Sequence, residues 1–245
     1  MTVRAEAEIV DDADGVVLRR VVVGPLATNC WIVVDARDRR AVVVDPGDEP
    51  LRILDACADL DVRAVLLTHT HWDHVLALPD VADALGVDVL AHPGDRPVWP
   101  HECQHLHRHG HFDAGTATDR LLGAGVHLGP SAGRALWAGR TTDVGHGDRI
   151  PVGDHVTLTV LHTPGHTPGG ISVRAGRHVL TGDTLFPGGP GLTGWPLSDF
   201  PTIIDSIRRT LFALPDRTTV HPGHGESTMI GAERPHLDAW IRRGW

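Results

Sequence analysis

The chain has 245 residues, 41% of them hydrophobic, which is enough to bury a core without disulfides or a structural metal. Its formal charge of −9 at pH 7 disfavours partners that are bound through a phosphate backbone, so we expect no nucleic-acid partner. The sequence contains no tyrosine and no lysine, which excludes mechanisms that need a phenol or a primary side-chain amine.

The sequence also bears on the compartment. The aliphatic runs are far shorter than a bilayer span, so we predict no membrane partner. The N-terminal stretch MTVRAEAEIVDDADG is charged and lacks the apolar region of a secretory signal. Cys30, Cys57 and Cys103 show no CxxC spacing, so we expect buried thiols at Cys30 and Cys57 and no disulfide framework. These features predict a cytoplasmic protein; they do not predict its oligomeric state.

In the first half of the chain, short β-branched runs alternate with Gly, Pro and Asp. Three successive strands are predicted over 17–24, 29–36 and 40–47. The hydrophobic spacing that follows predicts a helix over 49–60. A buried strand, a helix bracketed by Pro and Gly, and another strand are predicted over 62–69, 79–86 and 87–94.

The second half repeats this pattern. Strands are predicted over 155–165, 170–176, 177–183 and 218–225, and helices over 199–214 and 231–243. Strand clusters closed by helices favour an α/β fold with two sheets and helices on their outer faces. We predict one domain over 1–245, with an irregular, lid-like insertion at about 95–145.

The stretch LTHTHWDHV, residues 67–75, concentrates metal-binding side chains directly after a predicted strand. Three further strand ends carry the same kinds of side chain, within the motifs HTPGH, TGD and PGHG. Loops at strand ends can be gathered at one edge of a sheet. The candidate ligands are therefore His69, His71, Asp73, His74, His166, Asp183 and His224.

Imidazole and carboxylate donors without thiolate suit Zn²⁺, with Fe²⁺ or Mn²⁺ as alternatives. These candidates are too many for one catalytic ion but suit two ions about 3.5–4 Å apart. We predict a first trio, His69, His71 and His166, and a second trio, Asp73, His74 and His224, with Asp183 reaching both ions. A hydroxide held between the ions would be the nucleophile.

The motifs THTHWDH, TPGHTPGG, TGDTLF and PGHG resemble those of metallo-β-lactamase-fold hydrolases, in particular the glyoxalase II-like, short thioesterase-type branch. The resemblance covers nearly the whole chain except 95–145. It implies an αββα four-layer sandwich with two metals at one sheet edge and the same ligand sets. It also implies hydrolysis of a small-molecule thioester or related ester-like acyl bond, with Asp73 as a ligand or as the catalytic proton shuttle.

Departures from the family pattern keep alternatives open. Glyoxalase II proper binds glutathione partly through basic and tyrosine side chains after the metal domain; with no lysine or tyrosine, that mode is not expected here. The stretch GGPGLTGWPLSDF lacks the cysteine and arginine usual in persulfide dioxygenases. A mononuclear iron persulfide dioxygenase-like oxidoreductase, a lactone or lactam hydrolase, and a non-catalytic zinc-buffering protein are the alternatives.

Several aromatic and histidine residues have no assigned role. Trp72 is expected to pack beneath the metal loop, while Phe186, Trp195 and Phe200 could wall an apolar acyl pocket or pack in the core. The run HECQHLHRHGH could form a further metal site, line the pocket or belong to a mobile lid; it contains His101, His105, His107, His109 and His111.

Overall fold

The structure, a computed structural model, describes residues 7–13, 15–102 and 141–244. The first sheet runs in chain order through β1 (Glu8–Ala13), β2 (Val16–Val23), β3 (Thr28–Asp35), β4 (Arg40–Val44), β5 (Asp61–Leu66), β6 (Asp88–Ala91) and β7 (Thr141–Asp143). Strands β1 to β4 pair antiparallel, and β4 to β7 pair parallel. The parallel strands therefore deliver their carboxyl ends to one edge.

The second sheet contains β8 (Arg149–Pro151), β9 (Thr157–His162), β10 (Ile171–Ala175), β11 (His178–Gly182), β14 (Thr219–Pro222) and β15 (Thr228–Met229). Its spatial order is β15-β14-β11-β10-β9-β8, and β11 and β14 are parallel neighbours. A small hairpin, β12 (Leu185–Phe186) with β13 (Gly189–Pro190), follows β11.

The helices lie in two groups. The first group is α1 (Pro50–Ala56), α2 (Trp72–Val75) and α3 (Leu78–Leu85), followed after β6 by a 3-10 turn at Pro93–Asp95. The second group is α4 (Phe200–Ser206), which continues as a π-helical segment over Ile207–Leu211, then α5 (Ile230–Glu233), a 3-10 turn at Arg234–His236, and α6 (Leu237–Arg243).

Three apolar clusters define the layers. One joins the first helix group to the first sheet, with Ile53 and Leu78 fully buried. The second lies between the two sheets and includes Trp31 and Leu158. The third packs the second helix group on the second sheet around Ile207. The predicted αββα sandwich is therefore confirmed.

Local differences from the predicted elements have physical causes. Strand β4 ends at Val44 because Asp45 adopts a left-handed conformation, φ 54°. The helix predicted over 231–243 is interrupted by a 3-10 turn that contains Pro235, whose nitrogen has no hydrogen to donate. Strand β7 lies inside the segment at about 95–145 that was predicted to be irregular. Residues 103–140 of that segment fall outside the described residues.

Cys30 and Cys57 are buried thiols in the cluster on the helix side of the first sheet, as predicted, whereas Cys103 falls outside the described residues. Within the described ranges, no helix combines the length and the apolar character that crossing a bilayer requires.

Candidate metal centre

The predicted ligands come together where loops of both sheets meet. His69 and His71 follow β5, and His166 lies between β9 and β10. Asp183 follows β11, and His224 follows β14. The Thr28 backbone forms an isolated β-bridge to His224, which ties the two sheets together beside the site.

The first trio is compact and consists of imidazoles. Its candidate ligand atoms lie within 4.8 Å of one another. The His71 Nδ1 is 2.9 Å from the His166 Nε2. The His166 Nδ1 is 2.8 Å from the Leu192 carbonyl oxygen, to which it donates, so its Nε2 lone pair points into the site. The trio is thus arranged to offer nitrogen lone pairs to one cation.

The second trio mixes imidazoles with a carboxylate. The His74 Nδ1 is 2.9 Å from Asp45 Oδ2, and the His224 Nδ1 is 3.0 Å from the Leu26 carbonyl oxygen. The two Nε2 atoms are therefore turned toward each other, 3.3 Å apart. Asp73 Oδ2 lies 3.2 Å from His224 Nε2.

The Asp183 carboxylate lies between the two trios. Its Oδ1 is 3.5 Å from the His74 Nε2, and its Oδ2 is 3.5 Å from the His224 Nε2 and 3.7 Å from the His166 Nε2. One carboxylate therefore reaches donors of both groups.

Two buried atoms show that the donor set suits cations. Among the described residues, His69 Nε2 and Asp183 Oδ1 have no hydrogen-bond partner. Leaving a buried nitrogen or carboxylate oxygen unpaired costs free energy, which a coordinated ion would offset. Nitrogen and oxygen donors at this density match the preferences of divalent metals.

The pKa values of the histidines shift in opposite directions in the two trios. Burial holds the pKa of His69 well below its usual value, and burial together with His166 lowers the pKa of His71 to about 3. Burial also disfavours charge on His74, but Asp73 and Asp183 outweigh burial and raise its pKa to about 9.

His224 follows the same pattern as His74. Burial lowers its pKa, but Asp183 and Asp73 raise it to about 11. In the metal-free protein the Asp73 and Asp183 carboxylates therefore favour protonation of the second trio's imidazoles, whereas burial favours neutral imidazoles in the first trio.

Glycines allow the loops to approach closely. A Cβ atom on Gly47 would lie 2.0 Å from the Asp73 carbonyl oxygen. A Cβ atom on Gly223 would lie 2.2 Å from Asp183 Oδ1. Gly47 of DPG and Gly223 of PGHG are therefore required by packing around the site.

Sequence reasoning missed Asp45, which is buried and joins both trios. Its Oδ1 accepts from the Thr68 backbone N–H at 2.7 Å, and its Oδ2 accepts from the Thr68 hydroxyl and lies beside the His74 ring. The Thr68 hydroxyl is also 3.0 Å from the His69 Nδ1. The sequence signal that could have identified Asp45 is the motif DPG after β4, because it places a carboxylate at a strand end, as in the predicted ligands.

The site opens into a cavity of about 750 Å³. His71, Asp73, His166, Asp183 and His224 form part of its lining. The apolar walls seen in the described residues include Leu26, Phe186, Leu192, Trp195 and Leu197.

Each trio faces its own aromatic side chain. The ring centroids of Phe186 and His224 are 6.4 Å apart, and those of Trp195 and His166 are 5.1 Å apart. Trp72 both lines the cavity and packs against the helix-side core. Phe200 instead begins α4 and packs on the third apolar cluster.

Of the histidines in the His-rich run, only His101 belongs to the described residues, and it lines the cavity. His105, His107, His109 and His111 lie outside them.

Comparison with known proteins gives consistent relatives. A hydroxyacylglutathione hydrolase, GloC of Haemophilus influenzae, is 32% identical over 213 residues, covering 84% of this chain and 89% of GloC. The crystal structure of the B3 metallo-β-lactamase BLEG-1 matches with a TM-score of 0.71 and 29% identity, over 90% of this chain and 97% of that one. That of TTHA1623 in a di-iron-bound form matches with a TM-score of 0.67 and 32% identity, over 88% and 96%.

The family model described as the metallo-β-lactamase superfamily matches residues 23–224, which include every predicted ligand. The αββα architecture and the similarity to the hydroxyacylglutathione hydrolase GloC agree with this match. The chain belongs to the metallo-β-lactamase superfamily.

Proposed function

We propose that the protein is a dinuclear metal-dependent hydrolase that cleaves a small-molecule thioester or a related ester-like acyl bond. The observation that carries this proposal is the Asp183 carboxylate, within 3.7 Å of imidazoles from both trios. Similarity to the hydroxyacylglutathione hydrolase GloC supports the acyl-transfer chemistry.

The donor set is proposed to hold two divalent cations, with Zn²⁺ as the first candidate. The first trio would hold one and the second trio the other, with Asp183 shared. When bound, such a pair lowers the pKa of water and polarises a carbonyl. Fe²⁺ suits the same donors, and the similar TTHA1623 has been solved in a di-iron-bound form.

Groups of the protein orient the ligand imidazoles and protonate the leaving thiol. Backbone carbonyls of Leu192 and Leu26 fix the ring orientations of His166 and His224 by accepting from each Nδ1. Water adds to the carbonyl carbon, the acyl C–S bond breaks, and the thiol leaves with a proton. Asp73 lies on the cavity wall, and we assign its carboxylate the transfer of that proton; the Thr28 hydroxyl donates to Asp73 Oδ2 at 3.0 Å and holds the carboxylate in place.

The cavity supports a substrate with an apolar acyl group. Its volume of about 750 Å³ falls within the range of small-molecule sites. Phe186, Leu192 and Trp195 would exclude water from the acyl chain beside the reacting carbonyl.

A substrate panel tests the proposal. Metal-loaded protein is assayed against thioesters of small thiols and acyl carriers, and against lactones and lactams. We expect thioester hydrolysis that a chelator abolishes. Cleavage of a lactone or lactam alone would overturn the substrate assignment.

Two further outcomes separate the alternatives. One iron per chain together with oxygen uptake on a persulfide would identify an oxidoreductase. Absence of turnover with every substrate, with metal uptake lost on deletion of residues 101–111, would identify a zinc-buffering protein.

A further inference from the structure

Asp95 is a buried carboxylate close behind the first trio. It ends the 3-10 turn Pro93–Asp95 after β6, and it is 1% exposed. Burying a carboxylate is costly unless hydrogen bonds compensate it. Its partners therefore indicate what the group does.

Among the described residues, the hydrogen-bond partners of the Asp95 side chain all belong to the loops that carry the first trio. Asp95 Oδ2 accepts from the Thr70 backbone N–H at 3.0 Å and from the Thr167 hydroxyl at 3.0 Å. Asp95 Oδ1 accepts from the Gly169 backbone N–H. Thr70 lies between His69 and His71, and Thr167 directly follows His166. One carboxylate thus joins two loops that come from different sheets.

The packing around Asp95 is too close for side chains. A Cβ atom on Gly169 would lie 2.4 Å from the Asp95 backbone nitrogen. A Cβ atom on Gly94 would lie 3.0 Å from the Gly169 Cα. Since the turn that carries Asp95 and the loop that carries His166 approach at van der Waals distance, a small change at Asp95 displaces this loop relative to Thr70, which Asp95 also holds.

The second trio has separate supports. His74 is held by Asp45, His224 by the Leu26 carbonyl, and Asp73 by the Thr28 hydroxyl. The hydrogen bonds of the Asp95 side chain reach none of these groups. The Thr70 loop continues into α2 with Asp73 and His74, whereas the Thr167 and Gly169 contacts hold the His166 loop, which serves the first trio alone. A change at Asp95 should therefore act mainly on the first trio.

We propose that Asp95 is the positioning residue of the first trio. By fixing Thr70 and Thr167, it sets the separation of the His71 and His166 rings and hence the affinity of that trio for a cation. The inference rests on the proposed metal sites but not on the thioester substrate.

Variants that keep one trio test this directly. His224→Ala removes a ligand of the second trio, and His166→Ala removes one of the first. Asp95→Asn is added to each, because the amide has almost the carboxylate's shape but presents an N–H₂ group to a backbone or hydroxyl donor. Affinity is measured by titrating the metal-free proteins with Zn²⁺ and with Co²⁺, whose absorption spectrum reports the ligand geometry.

Asp95→Asn should weaken binding about tenfold in the His224→Ala background, the lower end of the range for loss of a direct partner of a metal ligand, because Asp95 acts through the neighbours of the ligands. In the His166→Ala background the affinity should stay within about twofold. Equal losses in both backgrounds, or no loss in the first, would overturn the proposal. Wild-type protein that binds no cation would sink the proposed function as well, whereas binding that is insensitive to Asp95 would sink only the positioning role.

Asp35→Asn is the matched control for stability. Asp35 is also buried, and it accepts from the backbone N–H groups of His155 at 2.8 Å and Val156 at 3.0 Å, at the opposite end of β3 from the site. This variant should lower the melting temperature and leave cation affinity unchanged in both backgrounds.

A milder pair of variants covers the case in which Asp95→Asn fails to fold. Thr167→Val removes the hydroxyl that donates to Asp95, and Thr167→Ser keeps it. In the His224→Ala background, the valine variant should bind severalfold more weakly and the serine variant like its parent. Equal affinities of these two variants would also contradict the positioning role.

Discussion

The two trios occupy the same site but are built differently. The first consists of imidazoles alone, and burial lowers the pKa of each. The second contains Asp73 and lies against Asp183, so the pKa values of His74 and His224 are raised to about 9 and about 11. If the trios bind cations as proposed, the first would do so at neutral pH with its lone pairs already free, whereas the second would first release protons. The carboxylates would thus make cation binding depend on pH in the second trio more than in the first.

The largest expected effect is at Asp183, which both trios share. Asp183→Asn keeps the shape of the side chain but removes the charge, so kcat/KM should fall by about 10²–10³-fold, as for loss of a key electrostatic group. The melting temperature of the metal-free protein separates this from misfolding. Asp199→Asn, at the exposed N-cap of α4, is the matched control and should retain activity. Wild-type activity of Asp183→Asn would remove the basis for a shared carboxylate.

Asp45 distinguishes the trios by their supports. It contacts His74 directly but reaches His69 only through Thr68. Asp45→Asn should therefore weaken the second trio by about 10–100-fold and the first by less, measured in the same single-trio backgrounds. A larger loss at the first trio would show that the Thr68 link dominates.

The aromatic walls can show which side of the site holds the acyl chain. With thioesters of increasing chain length, each buried methylene should raise kcat/KM about fourfold until the cavity is filled. Phe186→Ala opens the wall beside His224, and Trp195→Ala opens the wall beside His166. The variant that flattens the chain-length dependence identifies the acyl side. If wild-type rates show no dependence on chain length, the apolar walls do not bind the acyl group.

The pH dependence of metal-free stability should reflect both trios. Unfolded histidine titrates near pH ~6.5. The raised pKa of His224 gives stability that is complete below that value and is lost as the pH rises through about 11. The lowered pKa of His71 acts on the other side, and stability falls as the pH drops from ~6.5 toward about 3.

Thermal unfolding across this range, with His224→Asn and His71→Asn, separates the two contributions. The first variant should flatten the alkaline decline, and the second should flatten the acid decline. An unchanged alkaline slope in His224→Asn would contradict the assigned charge state of the second trio.

The parts of the site that followed from the sequence are those with a positional signature. Short aliphatic strands that end in His or Asp predicted both the sandwich and the convergence of loops around His69, His166 and His224. That these side chains bind metal remains a prediction.

The supports could not be predicted in the same way. Leu26 and Leu192 hold His224 and His166 through backbone carbonyl oxygens, which every residue type has, so the sequence does not mark these positions. The role of Asp95 depends on contacts 25 to 74 residues away in the chain. Strand β1 was not predicted because its sequence, EIVDDA, is acidic. The strand forms by pairing with β2 at the edge of the first sheet.

Metal content tests the central claim most directly. Wild-type protein, His166→Ala and His224→Ala are loaded with Zn²⁺, desalted and measured by elemental analysis. Two tightly held cations per chain in the wild type and one in each variant are predicted. A single cation in the wild type, or two retained in both variants, would contradict a dinuclear site built from these trios.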